Sequence, residues 1–79
     1  MEERLKKVFA DLFGVDMDEV NDGMSIETMP TWDSLRMVQI VASIEEIFDI
    51  SPLTIDEIVS MTSFAKIKEV LKKKLEGHD

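Results

Sequence analysis

The sequence predicts an all-α fold, a four-helix bundle with a long connection between helices 1 and 2 and a short helix 3. Two observations lead there. Apolar residues recur at intervals of three and four, bounded by helix start and stop signals, in the segments 5–13, 34–48, 55–60 and 64–75. No segment shows the sustained alternation that a half-buried strand requires, and no internal repeat or low-complexity stretch appears. With 79 residues, 44% of them hydrophobic, the chain is expected to form a single domain, 1–79, with one small core. It is too small for a substrate cleft with walls of its own.

In helix 1, Leu5, Val8, Phe9, Leu12 and Phe13 fall on one face. Gly14 stops it, because glycine takes the left-handed conformation of a C-terminal cap without strain, and Val15 folds back onto the last turn. From Val15 to Thr31 neither period is sustained. Asp22-Gly23 marks a turn and Pro30 disfavours helix at Met29, while Val20, Met24 and Ile26 are apolar points to pin the segment to the core. Asp16, Asp18 and Glu27 match positions one, three and twelve of a calcium loop. Val20 and Asn21 occupy positions five and six, where a ligand and a glycine are needed, so no metal site is expected.

The next stretch, Pro30-Thr31-Trp32-Asp33-Ser34-Leu35, opens helix 2, about Ser34 to Phe48. Asp33 is a good N-cap, since its carboxylate accepts from free N–H groups of the first turn. Ser34 is then the first helical residue, with its hydroxyl beside the positive end of the helix, where a phosphate is favoured. Most serines at a helix start are only capping chemistry. Val38, Val41, Ile44 and Phe48 make one core line, with Leu35 and Ala42 partly off it. That is more apolar surface than one stripe needs, so either a contact with another molecule or loose packing among six methionines is implied.

Ile50-Ser51-Pro52-Leu53 breaks the helix, and Thr54-Ile55-Asp56-Glu57 reads as a capping box. It opens a short helix 3, about Ile55 to Ser60, presenting Ile55, Ile58 and Val59 and held only by packing. Thr62 or Ser63 caps helix 4, whose stripe is Phe64, Ile67, Val70, Leu71 and Leu75, with lysines toward its negative end. Gly77-His78-Asp79 is expected to fray.

The net charge of −8 is unevenly placed: between Asp11 and Glu57 twelve carboxylates face one base, Arg36. Such a middle repels nucleic acid and anionic lipid and attracts basic patches on proteins. There is no cysteine, which excludes disulfides, thiolate metal sites and a catalytic thiol. The lone His78 sits in the tail, so a Ser-His-Asp arrangement would need an ordered terminus, and no Gly-rich phosphate loop exists. Glu45 and Asp49 share a helix face but lack a third metal ligand. No catalytic residues are expected. The absence of a long apolar run or a basic-then-apolar start leads to the expectation of a cytoplasmic monomer without membrane insertion.

Asp33-Ser34-Leu35, followed by a helix ending Glu45-Glu46-Ile47-Phe48-Asp49, resembles the phosphopantetheine-attachment region of acyl carrier proteins, and the resemblance runs over nearly the whole chain. It implies the four-helix fold with its long first loop. It implies that a phosphopantetheinyl transferase attaches 4′-phosphopantetheine from coenzyme A, with magnesium, to Ser34. The arm then carries acyl groups as thioesters to partner enzymes with basic patches, in lipid, polyketide or other specialised biosynthesis. Carried over by position, recognition falls on Asp33, Leu35, Arg36, Ala42, Glu45, Glu46 and Leu53, with Asp56 and Glu57 adding charge. Val38, Ile44, Ile58 and Ile67 are core residues that would part for an acyl chain.

Departures from the pattern point to a dedicated pathway. Arg36 and Gln39 stand where acids are usual, Ala42 where Met is frequent, and Ile47 interrupts an acidic trio; Trp32 replaces a small residue and looks more like specialised or aminoacyl carriers. An aminoacyl or peptidyl carrier is the nearest alternative. A small helical interaction domain, with Ser34 as mere capping, is the other.

Overall fold

Gly14 takes φ +69°, and the N–H of Val15 reaches back to the carbonyl of Ala10 at 3.1 Å, ending α1 (Glu2–Phe13) as the sequence predicts. In the computed structural model, which describes residues 1–76, α1 is followed by a single 3-10 turn (Met17–Glu19). Then come α2 (Ser34–Phe48), α3 (Ile55–Ser60) and α4 (Phe64–Glu76). The expected fraying of Gly77-His78-Asp79 lies outside the described residues. A Cβ on Gly14 would meet nothing within 4 Å, so Gly14→Ala isolates the backbone term. We expect it to cost about 1–2 kcal/mol, read as a lower urea midpoint at unchanged slope. An unchanged midpoint would mean that the helix end is not constrained by this residue.

The architecture is all-helical, with α1 packed on α2 and α3 on α4. The core is centred on Phe9, fully buried, whose ring meets Phe64 at 5.0 Å and Trp32 at 5.3 Å, both edge-on, and Phe13 at 5.5 Å. Leu5, Ile40, Ile44, Ile67 and Leu71 fill in around it. Edge-to-face pairs of this kind add about 0.5–1.5 kcal/mol each beyond the area they bury. Trp32 is therefore a core residue, although it stands in the stretch that opens α2.

The connection from Val15 to Asp33 is tied down along its length. Val20 and Met24 are buried. The Ile26 N–H bonds to Thr62 O at 3.0 Å and the Phe64 N–H to Met24 O at 2.9 Å, beside the isolated bridge of Ser25 and Ser63. Lys68 on α4 reaches Asp22 at 2.7 Å and Glu2 at 3.4 Å, and its bond to Asp22 chiefly raises its pKa. Local side-chain bonds close the turns, with Asn21 Oδ1 accepting from the Gly23 N–H at 2.8 Å and Glu19 Oε1 from the Asp16 N–H at 2.9 Å. Ile26 differs from the expectation: its side chain is exposed, and only its backbone ties the loop.

Three further expectations are corrected. The buried line of α2 is Ile40, Ile44 and Phe48, with Val41 only partly covered and Val38 exposed. Apolar residues occur almost all round this helix, so two neighbouring stripes both satisfy its period and packing selects one. Leu53, expected on the recognition surface, is buried in the core. α3 has no buried residue, so packing alone does not hold it. Its capping box is present, with Thr54 Oγ1 accepting from the Glu57 N–H at 3.1 Å. Lys74 of α4 also binds Glu57 Oε1, Ser51 Oγ and Pro52 O, each at 3.1 Å.

Candidate functional site

Trp32 fixes where α2 begins. Its indole is wedged between Phe9 and Phe13, its N–H points to Met37 Sδ at 3.4 Å, and its backbone N–H bonds to Met29 O at 2.9 Å. Asp33 follows in extended conformation and caps the helix, Oδ1 accepting from the Arg36 N–H at 2.9 Å. Ser34 is the first residue of α2 and is exposed. Its hydroxyl has no hydrogen-bond partner among the described residues. The cap is thus carried by Asp33, which leaves the Ser34 oxygen free for chemistry.

Asp33 and Ser34 border a groove of about 660 Å³ between α2 and α3. Val38, Val41 and Ala42 of α2 form one wall and Ile58 and Val59 of α3 the other. Trp32, Met37, Met61, Ile26, Thr62 and Glu45 complete the lining, with Trp32 and Met61 buried beneath the surface. Ser34 and Glu45, the first and last α2 residues that line it, stand eleven residues apart, about 16 Å along the helix at 1.5 Å rise. Among the described residues, no basic side chain lines it.

The other recognition candidates divide. Leu35, Ala42, Glu46 and Asp56 are exposed, as such a role requires. Glu45 is half-buried and accepts from the Leu53 N–H at 2.9 Å, which ties the segment after α2 to α2 itself. Arg36 turns toward α1: its guanidinium lies 5.6 Å from the Phe13 ring centre and donates to Gln39 Oε1 at 2.8 Å. Its Nε is buried with no partner among the described residues. Ile44 and Ile67 are fully buried, whereas Ile58 is half-buried and faces the groove. Val38, expected in the core among the residues that would part for an acyl chain, instead lines the groove from an exposed position. Ile26, expected to pin the loop to the core, was missed as a groove residue.

Glu57 anchors the start of the α3 wall. The Thr54 N–H, 2.8 Å from Oε1, holds its carboxyl below the usual range, and Lys74 adds to the effect. A carboxyl with a depressed folded pKa stabilises the fold above its ordinary pKa of 4.5, and that contribution is lost as pH falls through the folded value. Glu57→Gln is therefore expected to melt below the parent near neutral pH, with the gap closing in acid. A gap that persists undiminished in acid would show that the charge plays no part.

Among the described residues, no group of three or more His, Asp or Glu side chains converges as a metal site, and no helix is long and apolar enough to cross a membrane. No family model matches the chain. The arrangement offers one exposed, unpartnered hydroxyl at a helix start, opening onto an apolar trough.

Proposed function

We propose that the chain is a carrier protein that bears acyl groups on a 4′-phosphopantetheine arm attached to Ser34 and presents them to partner enzymes. The observation that carries this reading is the free Ser34 hydroxyl at the mouth of the α2–α3 groove. The residues suit the group: the oxygen is accessible to a second protein, and the trough beside it accepts a flexible, largely uncharged chain. The arm supplies a thiol on which acyl groups ride as thioesters, chemistry the cysteine-free chain lacks.

The chain's own part is to hold and present. Asp33 fixes the helix start and so the position of the Ser34 oxygen. In attachment, that oxygen forms a bond to the β-phosphorus of coenzyme A, adenosine 3′,5′-bisphosphate leaves, and a base on the transferase takes the hydroxyl proton. The apolar walls keep water from an attached chain, and the acids Asp33, Glu46 and Asp56 attract basic patches on partner enzymes. The test is intact mass after incubation with coenzyme A, magnesium and a broad-specificity phosphopantetheinyl transferase. A gain of one phosphopantetheine is expected, and a parent that gains nothing overturns the proposal.

A further inference from the structure

Trp32 and Met61 line the trough from below the surface, 5% and 1% exposed, and behind Trp32 lies the centre of the core. The indole stands edge-on to Phe9 at 5.3 Å and against Phe13 at 5.7 Å, and Phe9 in turn meets Phe64 at 5.0 Å. Its N–H is already bound to Met37 Sδ at 3.4 Å. Ile44 and Ile67, expected to part for an acyl chain, are fully buried and do not line the trough. A chain that left the trough for the interior would first have to push the indole off two aromatic neighbours. A core packed to ordinary density has no room to receive it without loss.

The trough is in turn matched to the arm. Ser34, Val38, Val41 and Glu45 are spaced by four, three and four residues, so they share one face of α2. They cover about 16 Å along the helix. A phosphopantetheine laid from Ser34 along this face runs over Val38 and Val41 toward Glu45. Glu45, the last α2 residue of the lining, is a carboxyl bonded to the Leu53 N–H at 2.9 Å and a poor neighbour for an alkyl tail.

We infer that Trp32 is the floor that limits the cargo: it keeps an attached chain in the trough and out of the core, so the acyl groups this protein shelters are short. The first carbons beyond the thioester still find apolar cover against the α2 and α3 walls. A longer tail has no interior to enter and stands in water. The cargo class rests on the carrier reading of Ser34, whereas the closed floor does not.

Acetyl, butanoyl, octanoyl and dodecanoyl forms are made from the acyl-coenzyme A esters with a broad-specificity phosphopantetheinyl transferase, and loading is read by mass. In parallel the Ser34→Cys variant, whose thiol is the only one in the chain, is alkylated with iodoacetyl-pantetheine bearing the same groups. There the sulfur displaces iodide and its proton passes to buffer. The dodecanoyl form is expected to melt within about 5 °C of the butanoyl form and to be held longer on a hydrophobic-interaction column. Trp32→Leu is compared with its own butanoyl form, so that the stability lost with the ring cancels. Its dodecanoyl form should melt more than about 5 °C higher and lose the extra retention. A parent whose dodecanoyl form melts more than about 5 °C above its butanoyl form, or gains no retention, has taken the tail into the core and overturns the inference. A Trp32→Leu series that stays flat overturns it too. Should Trp32→Leu not fold, the parent series decides alone. If mass shows no loading, the carrier reading fails, and the alkylated series still decides whether the floor holds.

Discussion

Phe9→Ala is expected to remove about 3–5 kcal/mol of stability, the range for truncating a fully buried aromatic. A domain of 79 residues has roughly 4–12 kcal/mol in all, so this one truncation removes a quarter or more of the total. The magnitude follows from position. Phe9 touches Phe13 within α1, Trp32 before α2 and Phe64 at the start of α4, so one truncation loosens two junctions and the last turn of α1 at once. The loop is tied to the same place, through the bond from Phe64 N–H to Met24 O. Phe13 is only half-buried and meets Trp32 at 5.7 Å, and Phe13→Ala should cost clearly less. Denaturant unfolding followed by far-ultraviolet circular dichroism measures both. A Phe9→Ala loss no larger than that of Phe13→Ala would show that the aromatic cluster is not the centre of the fold.

Trp32 shows where sequence reading met its limit. Its neighbours Pro30, Thr31 and Asp33 are turn and cap residues, and no period passes through position 32. Its burial is decided by ring contacts with residues 19 and 23 positions away, which local pattern does not carry. The helix boundaries rest on local chemistry, the left-handed Gly14, the Asp33 cap and the Thr54–Glu57 box, and all three are present. The connection between α1 and α2 lacked a period because its order comes from side-chain turns and from pairing with the 62–64 segment, neither of which leaves a repeat.

The candidate site was legible in part for the same reasons. Asp33 as cap and Ser34 as first helical residue follow from position alone. Leu53 did not: the resemblance placed it on the recognition surface, yet its side chain joins the core while its backbone N–H bonds to Glu45. Ile55 and Val59 were expected to pack, because a six-residue helix has little else to hold it. Lys74, from the far end of α4, supplies polar anchors in their place and leaves both side chains outward.

Ser34→Ala is expected to abolish the mass gain completely and to change stability by no more than about 0.5 kcal/mol, as befits an exposed side chain. Asp33→Ala should do the reverse in kind. It keeps the hydroxyl, so loading persists, but it removes the bond to the Arg36 N–H and should cost about 1 kcal/mol through loss of the helix cap. Loading should also slow, since an uncapped first turn holds the Ser34 oxygen less well. Two adjacent residues would then divide the work, one holding the helix start and the other offering the acceptor atom. Intact mass against time, with melts of both variants, separates these roles. A mass gain surviving in Ser34→Ala would place the acceptor on another hydroxyl. A large loss of stability in that variant, with no gain in the parent, would return Ser34 to the capping role that most serines at this position fill.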